Sequence, residues 1–167
     1  ISIGGEFMNK EISFFAGAGG MDIGIHKSGF EVVMSLELEQ TYCNTLKHNN
    51  KKLNVVQGDS LELNKDKNYE LAELKKDEDF SLFFGGSPCQ SFSTVGKRLA
   101  FTDVRGMAML KFAKLVEEAL PQSFILENVK GLMSAALKHR PLNERGKDFP
   151  PLAPNEQRGT ALKFLLS

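Results

Sequence analysis

The chain has 167 residues, 41% apolar and 25% charged, with 21 Lys and Arg balanced by 21 Asp and Glu. That is the make-up of one folded domain with a sizeable core, and it excludes a disordered chain or a strongly basic nucleic-acid binder as default readings. No apolar stretch reaches the length of a membrane span and the N-terminus lacks the basic-then-apolar layout of a secretory signal, so a cytoplasmic protein is expected. Cys43 and Cys89 stand far apart, and neither has a second Cys or a His at ligand spacing, which argues against a disulfide framework or a zinc knuckle. No metal is expected.

In chain order, residues 1–7 (ISIGGEF) precede Met8 and read as a remnant of recombinant expression, leaving 8–167 as the domain proper. EISFFAG (11–17) predicts a first strand, MDIGIHKSG (21–29) a short helix stopped by Gly29, FEVVMSLE (30–37) a second strand and 39–48 a helix. LNVVQGD (53–59) reads as a strand, 68–76 as a weak charged helix and DFSLFFGG (79–86) as a fourth strand. GMAMLKFAKLVEEAL (106–120) carries apolar residues at helical spacing and stops before Pro121, and QSFILENV (122–129) is the fifth strand. This alternation predicts an α/β fold, a mostly parallel sheet with helices on both faces.

The stretch 138–158, KHRPLNERGKDFPPLAPNEQR, is polar, rich in proline and too long for an ordinary connection; a functional or a disordered insertion is expected. GTALKFLLS then begins a helix that leads to no further strand, which leaves an apolar edge of the sheet uncovered unless other polypeptide supplies it. Charge is uneven as well. Residues 61–80 hold seven acids against four bases, and 130–167 hold seven bases against three acids, so a local basic face is compatible with zero net charge.

Three segments carry chemistry. The first strand runs into FFAGAGGMDIG, where Gly17, Gly19 and Gly20 permit a sharp turn and close approach of a ligand at the start of a helix. Counting G-x-G-x-x-G from Gly17 puts Asp22 where a third glycine belongs, which weakens a dinucleotide site. Glu37 lies about twenty residues on, where such folds hold a ribose, and Asp59 ends the next strand. Acceptors for ribose and adenine without a phosphate cradle fit S-adenosylmethionine better than NAD. The second segment, GGSPCQSFS, puts Cys89 in a loop of small residues behind a strand, the setting of a nucleophile rather than of an inert core thiol. Lys97, Arg98 and Arg105 follow and could favour the thiolate. The third, ILENVKG, sets Glu127 and Asn128 at the next strand end, where desolvation would raise a carboxyl pKa and let it hold a proton for a ring nitrogen.

FAGAGG, then GGSPCQSFS with DVRG behind it, then ENVKGL, in that order, resemble the cytosine-5 DNA methyltransferases of bacterial restriction and modification systems, over about Lys10 to Leu132. The resemblance implies a Rossmann-like fold dependent on S-adenosylmethionine, with S-adenosylhomocysteine as product, acting on duplex DNA in the bacterial cytoplasm at the nucleoid. By the same resemblance Phe15, Ala16, Gly17, Ala18, Gly19 and Gly20 line the cofactor. Glu37 binds its ribose, Asp59 meets its adenine, and Ser60 and Gly86 belong to the same site; Leu38 stands where the family often has an aromatic residue. Cys89, flanked by Pro88 and Gln90, attacks C6 of the cytosine, and Glu127, beside Asn128, engages N3. The loop of about 89–106 closes over a flipped-out base, with Ser91, Ser93, Lys97, Arg98 and Arg105 toward the DNA.

Family pieces are missing: no Gln-Arg-x-Arg motif, no target-recognition region and no final Gly-Asn motif, since Gln157-Arg158 lacks that context. The expectation is therefore an N-terminal catalytic portion, truncated before the last strands and inactive alone. A second polypeptide or the missing part would supply target recognition. A tRNA methyltransferase and a non-catalytic cofactor- or DNA-binding module are the alternatives; a nicotinamide oxidoreductase is disfavoured by the glycine count.

Overall fold

The computed structural model describes residues 10–92 and 100–167. They divide into two compact units, one running to Gly86 and including Leu115–Leu126, the other made of Ser87–Lys114 and Glu127–Ser167. The strands are β1 (Glu11–Phe14), β2 (Val32–Glu37), β3 (Val55–Gln57), β4 (Leu82–Gly86) and β5 (Ser123–Glu127), in the order β3-β2-β1-β4-β5. The ladders β1–β2, β1–β4 and β2–β3 are parallel. The helices are α1 (Gly20–Lys27), α2 (Gln40–Asn49), α3 (Lys65–Leu71), α4 (Val104–Ala119) and α5 (Thr160–Leu165).

In the first unit the central strand β1 is buried along its whole length. The strand order reverses beside it, and the carboxyl end of the strand at such a switch point is where open sheets bind ligands. Phe14 packs on Phe83 with ring centroids 5.1 Å apart, Phe83 on Phe80 at 4.9 Å, and Phe80 on Tyr69 of α3 at 4.5 Å. A second cluster joins Cys43 and Leu46 of α2 to Val55 of β3, with Ala16 and Leu53 against it. Cys43 is fully buried; burial first, then the Glu37 charge, pushes its thiol pKa up, so this sulfur is a core atom.

The predicted elements all occur, with shifted ends. The third helix starts at Lys65 rather than 68 because the Asn64 side chain accepts the Lys67 amide at 2.9 Å and caps it. β1 stops at Phe14, since Phe15 turns to φ +56°. Helix α4 stops at Ala119 as Leu120 takes φ +51° ahead of Pro121. At the sheet edge among the described residues, Phe124 and Ile125 of β5 are 54% and 47% exposed.

In the second unit Phe101 stacks on Phe92 at 5.3 Å and on Phe164 of α5 at 5.6 Å. The segment 138–158 folds around one ion pair, the guanidinium of Arg140 on the buried carboxylate of Glu156. Arg140 also donates through Nη1 to the Pro150 carbonyl at 2.6 Å, while Glu156 accepts the Ala153 amide at 2.9 Å. A buried pair with its remaining sites satisfied holds a polar loop in one shape at little net cost. Among the described residues no helix is long and apolar enough to cross a membrane, and no cluster of His, Cys, Asp or Glu could hold a metal ion.

Glu11, at the start of β1, is fully buried and its carboxyl oxygens make no hydrogen bond. Burial pushes its pKa above the ordinary carboxylate value; nearby backbone amides of Glu31 and of Glu11 itself offset part of this without reaching hydrogen-bonding geometry. Because the folded pKa is raised, the folded chain holds the proton longer than the unfolded one, and stability falls as pH rises from the ordinary value through the folded one. Glu11→Gln removes that loss. Its melting temperature is expected to exceed the wild type's by more at pH 8 than at pH 5, read by circular dichroism at the two pH values.

Candidate functional site

The glycine turn leaves β1 through alternating left-handed residues: Phe15 at φ +56°, Gly17 at +54° and Gly19 at +86°. A bulky residue in that region is strained, a state that persists only where the surroundings hold it. Gly19 caps α1 without a side-chain bond, and an added Cβ there would lie 2.7 Å from the Leu46 side chain. At the end of β2, Glu37 accepts the Gly17 amide at 2.7 Å through Oε2 and the Glu39 amide at 2.9 Å through Oε1. The carboxylate is thus aimed by two backbone donors, and it occupies a turn amide that a phosphate would otherwise take.

Asp22, in the first turn of α1, completes the anchorage. Its buried carboxylate accepts the hydroxyl of Ser13 on β1 and that of Ser35 on β2, both at 2.6 Å. Where a dinucleotide site uses a third glycine to let helix and sheet touch, this chain ties α1 to two strands by hydrogen bonds. Sequence reasoning noted Asp22 only as a misfit; the readable signal was a serine inside each of two buried apolar strands.

Of the other residues expected at the cofactor, Ala16 and Gly86 are half-buried, Ala18 and Gly20 exposed, and Leu38 is 57% exposed. Asp59 accepts the Leu61 amide at 2.9 Å and caps the turn Ser60–Glu62, in which Ser60 is buried. One of its carboxylate oxygens is therefore committed to the backbone.

In the second unit the cysteine segment and the Glu-Asn-Val segment meet directly. Asn128 donates through Nδ2 to the Ser87 carbonyl at 3.0 Å and to the Ser87 hydroxyl at 2.9 Å, while its own Oδ1 accepts the Val129 amide at 2.9 Å. Three residues after Asn128, a Cβ on Gly131 would fall 2.4 Å from the Phe92 carbonyl, so this close approach admits only glycine. Cys89 and Pro88 are half-buried and Gln90 exposed; this sulfur, unlike Cys43, is not sealed in hydrocarbon. The Phe92 amide donates to the Cys89 carbonyl at 3.0 Å and closes a turn around the thiol.

Two expectations change. Glu127 is exposed rather than desolvated at its strand end. Arg105 is no free cation on the cysteine loop, because it grips Asp103 through Nε at 3.0 Å and Nη2 at 3.3 Å. Asp103 also accepts the Arg105 amide at 2.9 Å, ahead of α4, and the hydroxyl of buried Ser91 at 3.1 Å. The Arg105 contacts hold the Asp103 carboxyl down at about 2. Its contribution to the fold is complete above the ordinary 3.8 and is lost as pH falls through about 2. Ser93, Lys97 and Arg98 lie outside the described residues.

The profile of the C-5 cytosine-specific DNA methylase family matches residues 9–145. The type II methyltransferase M.AquIA of Picosynechococcus is 45% identical over 125 residues, 75% of this chain and 50% of the relative. M.Eco47II of Escherichia coli is 37% identical over 123 residues, 74% of this chain and 28% of the relative. The chain therefore spans half or less of the length of these relatives. Among solved structures, an Escherichia coli prophage-encoded DNA modification methyltransferase superposes with a TM-score of 0.64 at 33% identity, over 75% of this chain and 33% of that one. The Schizosaccharomyces pombe Dnmt2 methyltransferase shares the fold, with a TM-score of 0.57 at 21% identity, over 74% of this chain and 37% of that one. With the family profile matched over most of its length and its ordered motifs on strand ends, this chain belongs to the C-5 cytosine-specific DNA methylase family.

Proposed function

We propose that this chain is the cofactor-binding and cytosine-activating portion of an S-adenosylmethionine-dependent DNA methyltransferase that acts on C5 of a flipped-out cytosine. Its setting is a type II restriction-modification system in the bacterial cytoplasm, at the nucleoid. The observation that carries the reading is the pair of bonds from Asn128 to Ser87, which ties the Pro88-Cys89 segment to the strand end bearing Glu127.

The glycine turn fits the cofactor. Glu37, aimed by the amides of Gly17 and Glu39, suits a ribose diol, and by taking the Gly17 amide it removes a donor that a pyrophosphate would use. Phe15–Gly20, Glu37, Leu38, Asp59, Ser60 and Gly86 would hold it, and when bound it supplies an electrophilic methyl group and leaves as S-adenosylhomocysteine. This chain's residues supply the rest. The Cys89 thiolate forms a bond to C6, and the C5–C6 π pair moves onto C5 as Glu127 donates a hydrogen bond or proton to N3. After C5 has gained its methyl, the C5 proton leaves to base, the double bond re-forms and the bond from C6 to sulfur breaks, returning the thiolate. A stacked base exposes neither face, so the nucleotide must leave the duplex first.

Half-exposed Phe124 and Ile125 on the edge strand support a further part of the same reading: other polypeptide completes the sheet and brings target recognition. The purified chain alone is expected to transfer no methyl to duplex DNA, measured with tritiated S-adenosylmethionine; transfer by the chain alone would overturn this part.

A 5-fluorocytosine duplex tests the chemistry, because fluorine at C5 cannot leave as a proton. With the chain supplemented by the C-terminal portion of the Picosynechococcus relative and the methyl donor, a covalent adduct is expected at Cys89 by mass spectrometry. An adduct that survives in Cys89→Ser, or methyl appearing in tRNA and not in duplex DNA, would sink the assignment. Asn128→Ala leaves Ser87 without its partner. It is expected to destabilise the chain by about 1–3 kcal/mol in urea titration and to slow adduct formation about 100-fold through misplacement of the nucleophile.

A further inference from the structure

The second unit holds a cavity of about 300 Å³ that the reaction above does not use. Phe92 and Gly131 wall one side, and the segment that begins at residue 138 wraps the other with His139, Arg145, Glu156 and Arg158. The charge balance inside follows from the hydrogen bonds. Glu156 has both oxygens engaged, by the Arg140 guanidinium and by the Ala153 amide at 2.9 Å, with Lys138 Nζ 4.0 Å away. Arg140 itself does not line the cavity, so the one carboxylate on the wall is neutralised from behind.

What faces the space is therefore cationic. Arg145 uses Nε, at 2.8 Å, and one Nη on the Arg140 carbonyl, and keeps further N–H donors of the guanidinium fork for another acceptor. Arg158 is exposed and makes no hydrogen bond or ion pair among the described residues. Two arginines lining a space at the small end of ligand cavities suit a tetrahedral oxyanion, which accepts from a planar guanidinium fork.

We propose that this cavity binds a phosphodiester of the nucleic-acid strand that carries the target cytosine. The inference deepens the methyltransferase reading and rests on it for the identity of the strand. The walls supply the reason: Phe92 closes the turn on the Cys89 carbonyl at 3.0 Å, and Gly131 follows Asn128 by three residues, so a phosphate held here is fixed to both catalytic segments. The basic excess of residues 130–167 thereby acquires a use that the net charge conceals.

The test is fluorescence anisotropy of the 167-residue chain with a short labelled oligodeoxynucleotide whose central residue is abasic, titrated across salt. Without a base, Cys89 has nothing to attack, so failure of the covalent chemistry leaves this readout intact. Arg158→Ala, whose side chain is exposed and whose fold is checked by its melting temperature, is expected to bind about tenfold more weakly and to lower the salt slope by about one phosphate contact. Arg145→Ala should do the same. Lys147→Ala, an exposed change on the same segment outside the cavity, should bind as wild type. Wild-type affinity and slope in Arg158→Ala would overturn the proposal, as would an equal loss in Lys147→Ala, which would mean diffuse attraction. Inorganic phosphate is the second arm. If it occupies the cavity as tightly as the oligonucleotide, by competition, the ligand is a free anion and the phosphodiester proposal fails.

Discussion

One side-chain nitrogen does most to join the segments that carry Cys89 and Glu127. Asn128 Nδ2 donates to both the carbonyl and the hydroxyl of Ser87, 41 residues away in sequence, and its Oδ1 is turned back onto the Val129 amide. Each bond is worth about 1 kcal/mol, and their importance is positional. Ser87 begins the loop that carries Cys89, and Asn128 follows Glu127, so fixing one pair of residues fixes the Cys89 loop against the strand end that bears Glu127. The Gly131 contact with the Phe92 carbonyl and the Asp103 bond to Ser91 then hold the far side of the same loop. In the proposed reaction, a thiol whose loop is held from several sides loses little entropy when its target arrives.

In the first unit the equivalent constraint is a carboxylate where a glycine would be simpler. Asp22 accepts two serine hydroxyls at 2.6 Å from neighbouring strands, and that anchorage allows the preceding turn to carry left-handed residues, one of them the bulky Phe15. The strain in the turn is offset by bonds made elsewhere. Glu37 adds direction, because its carboxylate is held by backbone amides and cannot swing away from the strand end. An acid at this position suits a ribose diol in either cofactor class of this fold; what differs here is the turn, whose Gly17 amide is already taken by that carboxylate.

How much of this was legible follows from which interactions are local. The strands and helices show in periodicity, and the three motifs show in order, because each lies within a few residues of a strand end. Asp22 was opaque, since Ser13 and Ser35 look like mere breaks in apolar runs until the fold brings them to one carboxylate. Arg105 read as a free cation because its partner, Asp103, sits two residues earlier in a turn whose shape no spacing rule specifies. Glu127 read as desolvated from the apolar run before it, yet β5 is an edge strand among the described residues and its end is open to solvent. The third helix was misplaced by three residues for want of weighing the Asn64 cap.

The same distinction bears on the neutral net charge, which at first argues against a nucleic-acid partner. Acids count against binding only where their field reaches the ligand. In this chain Asp22 is spent on hydroxyls, Asp103 on Arg105 and Ser91, and Glu156 on Arg140 and the Ala153 amide. Arg158, by contrast, is exposed and keeps its donors available at the cavity rim. A charge balance summed over the chain therefore does not fix the charge at one cavity, where the lining carboxylate is paired and Arg158 is exposed. A chain can be neutral as a sum and still line one cavity with two arginines, Arg145 and Arg158.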